Sequence, residues 1–372
     1  MKRVLQVVSC LESGGTEAFI MNNYRAVDKK KIQFDFLVFV KNDHPYIEEI
    51  KKMGGKVFFA MTPSIKRIKS FLAIVEKIIK ENGPYSAVHS HVNIANSWVM
   101  LAAKNAGVPI RISHSHAVFK DGNTFENVLR KYQVNLIKKN ATDFLACSNK
   151  AGNSLYGKNF FLKNGKVIKN GIDLHKFFNI TEKSEKLKNE FNISNENDLV
   201  LGNITRFDNN KNQTFIVDVF YEILKKKDSA ILLLGGVDGG ALAQVKEKVS
   251  VLGIENNVRF IGKRQDVPEC LKIIDAYVFP TIYEGLGIAI LEAQASGCEC
   301  FVSTGVSQEA DMGIGTMNYY NLNDSAEAWA KRIIKKCENR NKPSKERIQE
   351  AFDNKGFDIS SSVEELVLIY EK

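Results

Sequence analysis

"AYVFPTIYEGLGIAILEAQASG", residues 276 to 297, reads as three joined parts. Ala276 to Pro280 is a short aromatic and β-branched run, the pattern of a buried strand. Thr281 to Gly287 is a turn built around Gly285, Leu286 and Gly287. From Ile288 the spacing becomes helical, with Ile288, Leu291 and Ala295 on one face. A strand that passes through a glycine turn into a helix is a βα unit, and such units in series build a parallel sheet.

The same rhythm extends in both directions. In the first half, strands are predicted at 3–8, 34–40, 56–60, 86–91, 110–113, 144–148 and 166–170. The pattern restarts at 199–205 and continues at 230–236, 258–262, 276–280 and 298–303. Between the two series, 180–198 is charged and poor in large apolar side chains apart from Leu187 and Phe191. The expected fold is α/β, with two Rossmann-like, doubly wound parallel-sheet domains facing across a cleft. Ligands then sit at the carboxyl ends of the strands.

A chain of 372 residues suits two domains. With 44% hydrophobic and 26% charged residues and 7 prolines, its composition is globular. No apolar run approaches the roughly 18 residues of a membrane span, and the start turns polar too early for a signal peptide. The expected location is cytoplasmic. The six cysteines form no CxxC pair and no metal-spaced cluster with histidine, so they read as free thiols, mostly buried in strands. Charge is unevenly divided: residues 1–175 carry 27 Lys+Arg against 13 Asp+Glu, net +14, and residues 176–372 carry 25 against 30, net −5. A basic half suits nucleic acid, an anionic membrane or a phosphorylated substrate. Aromatic-basic interleaving of the nucleic-acid type is missing, which argues against that partner.

Two carboxylates bracket the opening turn. Glu284 lies on the turn and Glu292 on the helix, roughly 12 Å apart at about 1.5 Å per residue, too far to share a proton or a metal. They suit different parts of one elongated ligand, since a carboxylate accepts from a pair of neighbouring hydroxyls. The free N–H groups at Gly285, Leu286, Gly287 and Ile288 suit phosphate or sugar oxygens. The implied ligand is a sugar, a diphosphate and a ribose in line. Cations should then face the diphosphate, and "LGNITRFDNNKNQ" (201–213) supplies Arg206 and Lys211 just past a strand. Gly14 and Gly15 follow the first strand and open a helix, where bare backbone admits donor phosphates. Taken singly, each of these residues reads as an ordinary turn or surface residue; their shared placement at strand ends favours a ligand role.

The Glu-x7-Glu run, Arg206 with Lys211, "VIKNGIDLHKF" (167–177) and "ESGGTEAFIMNNYR" (12–25) together resemble family 4 of the retaining glycosyltransferases, which have the GT-B fold. "FDFLVF", "RISHSHA", "ACSNKAG" and "YEGLGIAILEAQASG" are similar to its capsular and exopolysaccharide branch, although that branch often has Pro where this chain has Gly287. The resemblance implies a nucleotide-sugar donor, usually a UDP-sugar, held mainly by the second domain, a glycan or lipid-linked acceptor at the first, and no metal or other cofactor. It implies that Arg206 and Lys211 neutralise the leaving diphosphate, Glu292 holds the ribose, and Glu284 with the 285–288 amides holds the sugar. A histidine near the sugar's 6-hydroxyl and the reacting centre is implied on the loop after "RIS", with His116 favoured and His114 the runner-up. His89 and His91 are expected to pack or hydrogen-bond at another strand end. The final helix is implied to cross back, giving domains of 1–175 plus 356–372, and 176–355.

Mechanistically, retention implies front-face attack by the acceptor hydroxyl with the departing phosphate oxygen as base. No residue reads as an enzymic nucleophile, Glu284 included, because paired glycosidase carboxylates lie much closer to one bond. Rival readings are a UDP-sugar 2-epimerase of the same architecture and a non-catalytic nucleotide-sugar-binding protein. A nicotinamide oxidoreductase is excluded, because neither half has GxGxxG with its acidic partner. The helix at 64–83 carries Lys66, Arg67, Lys69, Lys77 and Lys80 opposite its apolar side, which suits peripheral docking on the anionic inner face of the membrane.

Overall fold

The computed structural model describes residues 1–11, 14–41, 46–119, 124–178, 183–193, 198–284, 286–339 and 341–372. The chain divides into two compact units, Met1–Gly171 with Ile359–Lys372, and Ile172–Asp358. The divisions fall a few residues from the expected 175 and 356, because Ile172 pairs with Asp358 and stays with the second unit.

Unit 1 is a seven-stranded parallel sheet: β1 (Lys2–Val8), β2 (Ile32–Val38), β3 (Val57–Phe59), β4 (Ala87–Ser90), β5 (Ile110–Ser115), β6 (Asp143–Ala146) and β7 (Gly165–Val167). Their spatial order is β3-β2-β1-β4-β5-β6-β7. Both faces are covered, which is why the strands read as nearly continuous apolar runs. The helices Gly15–Ala26 and Ile359–Tyr370 cover one face through Phe19, Ile20, Leu366 and Ile369. On the other face, Phe71, Val75 and Ile79 of the helix Ile68–Asn82 pack with Val99 and Met100 of the helix Asn96–Asn105. The one charge buried in β2, Asp35, accepts from the Arg3 guanidinium and from the Tyr85 hydroxyl at 2.9 Å, as a buried carboxylate requires.

Unit 2 repeats the plan in six parallel strands: β8 (Val200–Ile204), β9 (Ile231–Gly235), β10 (Val258–Gly262), β11 (Ala276–Phe279), β12 (Glu299–Ser303) and β13 (Met317–Tyr320). Their order is β10-β9-β8-β11-β12-β13. In each sheet the winding reverses once, between β1 and β4 and between β8 and β11, and that reversal opens the crevice at the strand ends. The edge strand β13 was not foreseen. Its four residues, Met317-Asn318-Tyr319-Tyr320, are all only half-buried and so lack the continuous apolar pattern of the inner strands. The cysteine expectation is corrected as well: the thiols are free, but only Cys300 lies in a strand, while buried Cys270 sits on the helix Val267–Lys272.

Candidate functional site

Sheet topology brings the second-unit residues together. β8 and β11 are neighbours, with Leu201 opposite Ala276, so the loops that leave their carboxyl ends meet at the reversal point. Asn210 joins the two loops: its amide donates to the Tyr283 carbonyl at 2.8 Å, and its own carbonyl accepts from Ile282 N–H at 2.8 Å. Next to it Lys211 points across the reversal point. Its ammonium forms an ion pair with the Glu284 carboxylate and lies 5.0 Å from the Phe279 ring centre. Both side chains are about four-fifths buried, at 18% and 20% exposure, so water screens the pair weakly. The Glu284 backbone is held on both sides, donating to Gly305 at 3.0 Å and accepting from Ser307 at 3.2 Å.

Arg206 leaves the same end of β8 but is exposed, and it has no carboxylate partner among the described residues. Its stem runs over Gly239, where a Cβ would come within 2.5 Å of the guanidinium Nε. Arg206 thus leans over the loop after β9, while Lys211, five residues on in the same loop, is matched to a carboxylate after β11. An anionic ligand arriving there meets one free positive charge directly and competes for the second.

Past Glu284, Gly285 lies outside the described residues; Leu286, Gly287 and Ile288 are half-buried. Gly287 caps the helix Ile288–Ala295 at φ +66°, in the left-handed region that glycine favours and proline cannot enter. The proline common in the resembling branch is therefore incompatible with this turn conformation. Glu292 lies one turn into that helix, half-buried, and burial pushes its carboxyl up to about 7 while Lys176 pulls it back. It is poised to ionise near neutrality, and a ligand that donates hydrogen bonds would favour the charged form.

In unit 1, Gly14 and Gly15 are exposed at the start of the helix that follows β1. A Cβ on Gly14 would come within 2.4 Å of the Glu17 carboxylate. His114, on β5, is fully buried, whereas His116, just beyond the strand, is half-buried. The two rings are stacked, with centroids 4.1 Å apart. His89 and His91 pack and hydrogen-bond at the end of β4, as expected, and because β4 lies beside β5 they join the same cluster. His91 Nδ1 is 2.8 Å from His116 Nε2, and His89 Nε2 is 3.1 Å from His114 Nδ1. Ligand-capable nitrogens of His89, His91 and His114 lie within 4.8 Å of one another. Burial holds all four imidazoles below their ordinary range, His116 at about 3.

Sequence reading grouped Arg206, Lys211, Glu284 and Glu292; of these the structure brings Lys211 and Glu284 into contact, a pairing the sequence did not indicate. It also missed the convergence of four histidines. The signal was present, because His89/His91 and His114/His116 are each spaced by two on strands, which puts each pair on one sheet face. Nothing local marked Gln6 or Tyr370, which complete the cluster.

The description "Glycosyltransferase Family 4" matches residues 13–176, and "Glycosyl transferases group 1" matches residues 184–353. Over 99% of this chain and 96% of its relative, the sequence is 33% identical to a Bacillus subtilis protein that carries the glycosyltransferase name EpsF. It is 26% identical to the capsular polysaccharide biosynthesis glycosyltransferase CapH of Staphylococcus aureus, over 100% of this chain and 99% of that one. The crystal structure of Anabaena HepE in complex with UDP-glucose superposes with a TM-score of 0.80 over 100% of both chains, at 18% identity, a likeness of fold. With this fold, this order of motifs and these relatives, the chain belongs to glycosyltransferase family 4, with the GT-B architecture.

Proposed function

We propose that the protein transfers a sugar from a UDP-sugar to a hydroxyl of a glycan or lipid-linked acceptor in surface polysaccharide synthesis. Transfer retains the anomeric configuration and needs no metal. The observation that carries this reading is the strand-end group in unit 2: exposed Arg206, the Lys211–Glu284 pair and the ionisable Glu292, set around one reversal point. HepE crystallises with UDP-glucose. An Escherichia coli relative, 28% identical over 73% of this chain and 72% of its own, is named UDP-Gal:alpha-D-GlcNAc-diphosphoundecaprenol alpha-1,3-galactosyltransferase.

In the free protein Glu284 neutralises Lys211. A diphosphate offers that ammonium a second partner, and Arg206 adds an unshared charge. As Lys211 turns to the phosphates, the Glu284 carboxylate is released to accept from sugar hydroxyls, so one exchange serves both ends of the donor. Positive charge fixed beside the departing diphosphate stabilises the charge that develops as the glycosidic bond breaks. The acceptor hydroxyl then attacks from the same face and passes its proton to the departing phosphate oxygen. The test is transfer from UDP-sugars in excess EDTA, with the product's anomeric configuration read by proton NMR. An inverted product, or a strict requirement for added metal, would contradict the reading.

Glu292 gives this reading a pH signature. A ribose diol donates to the ionised carboxylate, so UDP affinity should fall as pH drops through about 7, approaching tenfold per pH unit below it. Calorimetric titration between pH 8 and pH 5.5 checks this, and Glu292→Gln should flatten the profile. The reading also assigns a membrane role to the basic helix. Phe71, Val75 and Ile79 are spent on the core, while Lys66, Arg67, Lys69, Lys77 and Lys80 are exposed. Contact with a bilayer would therefore be electrostatic. Flotation with anionic vesicles should be lost at high salt or with neutral lipid; flotation indifferent to lipid charge would remove this role.

A further inference from the structure

The four histidines of unit 1 are linked through Gln6 on β1 and Tyr370 on the last helix into a single hydrogen-bonded chain. Gln6 stands opposite His89 in the sheet register, and both are fully buried. The Gln6 amide Nε2 donates to the Tyr370 hydroxyl at 3.2 Å, and that hydroxyl lies 2.7 Å from His89 Nδ1. On its other side, Gln6 Oε1 lies 2.9 Å from His91 Nε2.

An amide oxygen only accepts and an amide nitrogen only donates, so Gln6 settles every proton in the chain. His91 must carry its proton on Nε2 to reach Gln6 Oε1, which leaves Nδ1 as an acceptor. His116 must then donate from Nε2, leaving its own Nδ1 as a lone pair. In the other direction, the Tyr370 hydroxyl accepts from Gln6 and donates to His89 Nδ1. His89 therefore donates from Nε2 to His114 Nδ1, and His114 is left with an N–H at Nε2. That atom is buried without a partner. If the Gln6 amide were turned over, every bond would reverse and the two free ends would exchange roles.

We propose that Gln6 is a positioning residue that fixes the polarity of this chain, so that His116 presents an unprotonated Nδ1 as hydrogen-bond acceptor to a substrate hydroxyl, while the buried His114 Nε2–H closes the other end. The substrate half rests on the sugar-transfer reading above; the polarity does not. Three observations carry it. The rings are already paired nitrogen to nitrogen. Among the described residues, His116 Nδ1 is a ring nitrogen of the chain with no partner, and it belongs to the half-buried member. The backbone N–H of His116 is fixed to Asn93 Oδ1 at 3.1 Å, and the Phe19 ring packs 5.5 Å from the imidazole, which limits its rotation. The imidazoles stay neutral in this burial, so His116 orients a hydroxyl without removing its proton.

Ring-nitrogen spectra of protein labelled with 15N-histidine test the polarity directly. All four cluster histidines should be in the Nε2–H form; Nδ1–H at His116 would overturn the proposal. So would stoichiometric zinc binding through these nitrogens, which would need lone pairs that the chain has spent. Two variants separate polarity from packing. Gln6→Met keeps the volume but removes the acceptor that holds His91, freeing the His91–His116 arm to reverse, and turnover should fall about tenfold, the cost of one misdirected hydrogen bond. Gln6→Glu, ionised or protonated, still offers His91 an oxygen, so it should hold His116 as an acceptor and retain most of the turnover. A purely structural role predicts the opposite order, with apolar Met better tolerated than Glu at a fully buried position, and that order would sink the proposal. Absence of sugar transfer by the wild type would instead refute the transferase reading and the substrate half, while the spectra would still decide the polarity.

Discussion

Replacing Lys211 by alanine is expected to lower kcat by about 10²–10³, the scale seen when one preorganised group is removed from a developing anion. The loss is compounded by what remains. Without its partner, Glu284 is a carboxylate only 20% exposed, and its charge faces the incoming diphosphate. Removing that charge too should separate the two effects. The double variant Lys211→Ala/Glu284→Gln is expected to recover UDP binding relative to Lys211→Ala alone, yet to remain slow, because binding improves without restoring the cation. Steady-state kinetics with UDP titrations on the single and double variants check both halves. Turnover within threefold of wild type for Lys211→Ala would remove the lysine from the mechanism.

Mild acid should unfold unit 1 before unit 2. His89, His91, His114 and His116 are held neutral by burial, His116 down to about 3, whereas in the unfolded chain they titrate near 6.5. Below 6.5 the unfolded state therefore binds more protons than the folded one, and stability falls as pH falls. A histidine held neutral through that range removes up to about 1.4 kcal/mol per pH unit, and all four act in the same direction. About 1–2 kcal/mol is already a large fraction of an ordinary domain's stability. Glu292 acts with the opposite sign: its folded carboxyl is raised to about 7, so unit 2 gains stability as pH drops from 7 toward 4.5. Hydrogen exchange should show β1, β4 and β5 losing protection near pH 5 while β8 and β11 keep theirs. Protection of unit 1 unchanged at pH 5 would contradict the neutral-histidine description.

Much of the fold was legible because both sheets are buried on both faces, so inner strands announce themselves as apolar runs. β1 and β9 stand within a residue or two of their expected positions. Legibility failed at β13, where an edge strand half-open to solvent needs no such pattern. The site was legible where its residues follow strands in sequence: Arg206 after β8 and Glu284 after β11 are local consequences of a βα turn. What the sequence withheld is set by strand order. That Lys211 meets Glu284 follows from β8 lying beside β11, and that Gln6 governs His116 follows from β1 lying beside β4 and from Tyr370 arriving on the last helix. These neighbours are 73 and 364 residues apart along the chain for the pairs Lys211–Glu284 and Gln6–Tyr370, beyond the reach of any local pattern.

The central claim is that unit 2 holds a UDP-sugar without the help of a metal ion. The most direct test is the thermal shift produced by UDP-glucose in excess EDTA, on the wild type and on Glu292→Ala. A ligand at a hundred times its Kd stabilises by about 2.7 kcal/mol, which for a unit of this size raises the unfolding midpoint by roughly 5–10 °C. The predicted result is such a shift for the wild type, undiminished by chelator and largely lost in Glu292→Ala. A wild type that fails to shift with any nucleotide sugar, or that shifts only when divalent metal is restored, would contradict the account.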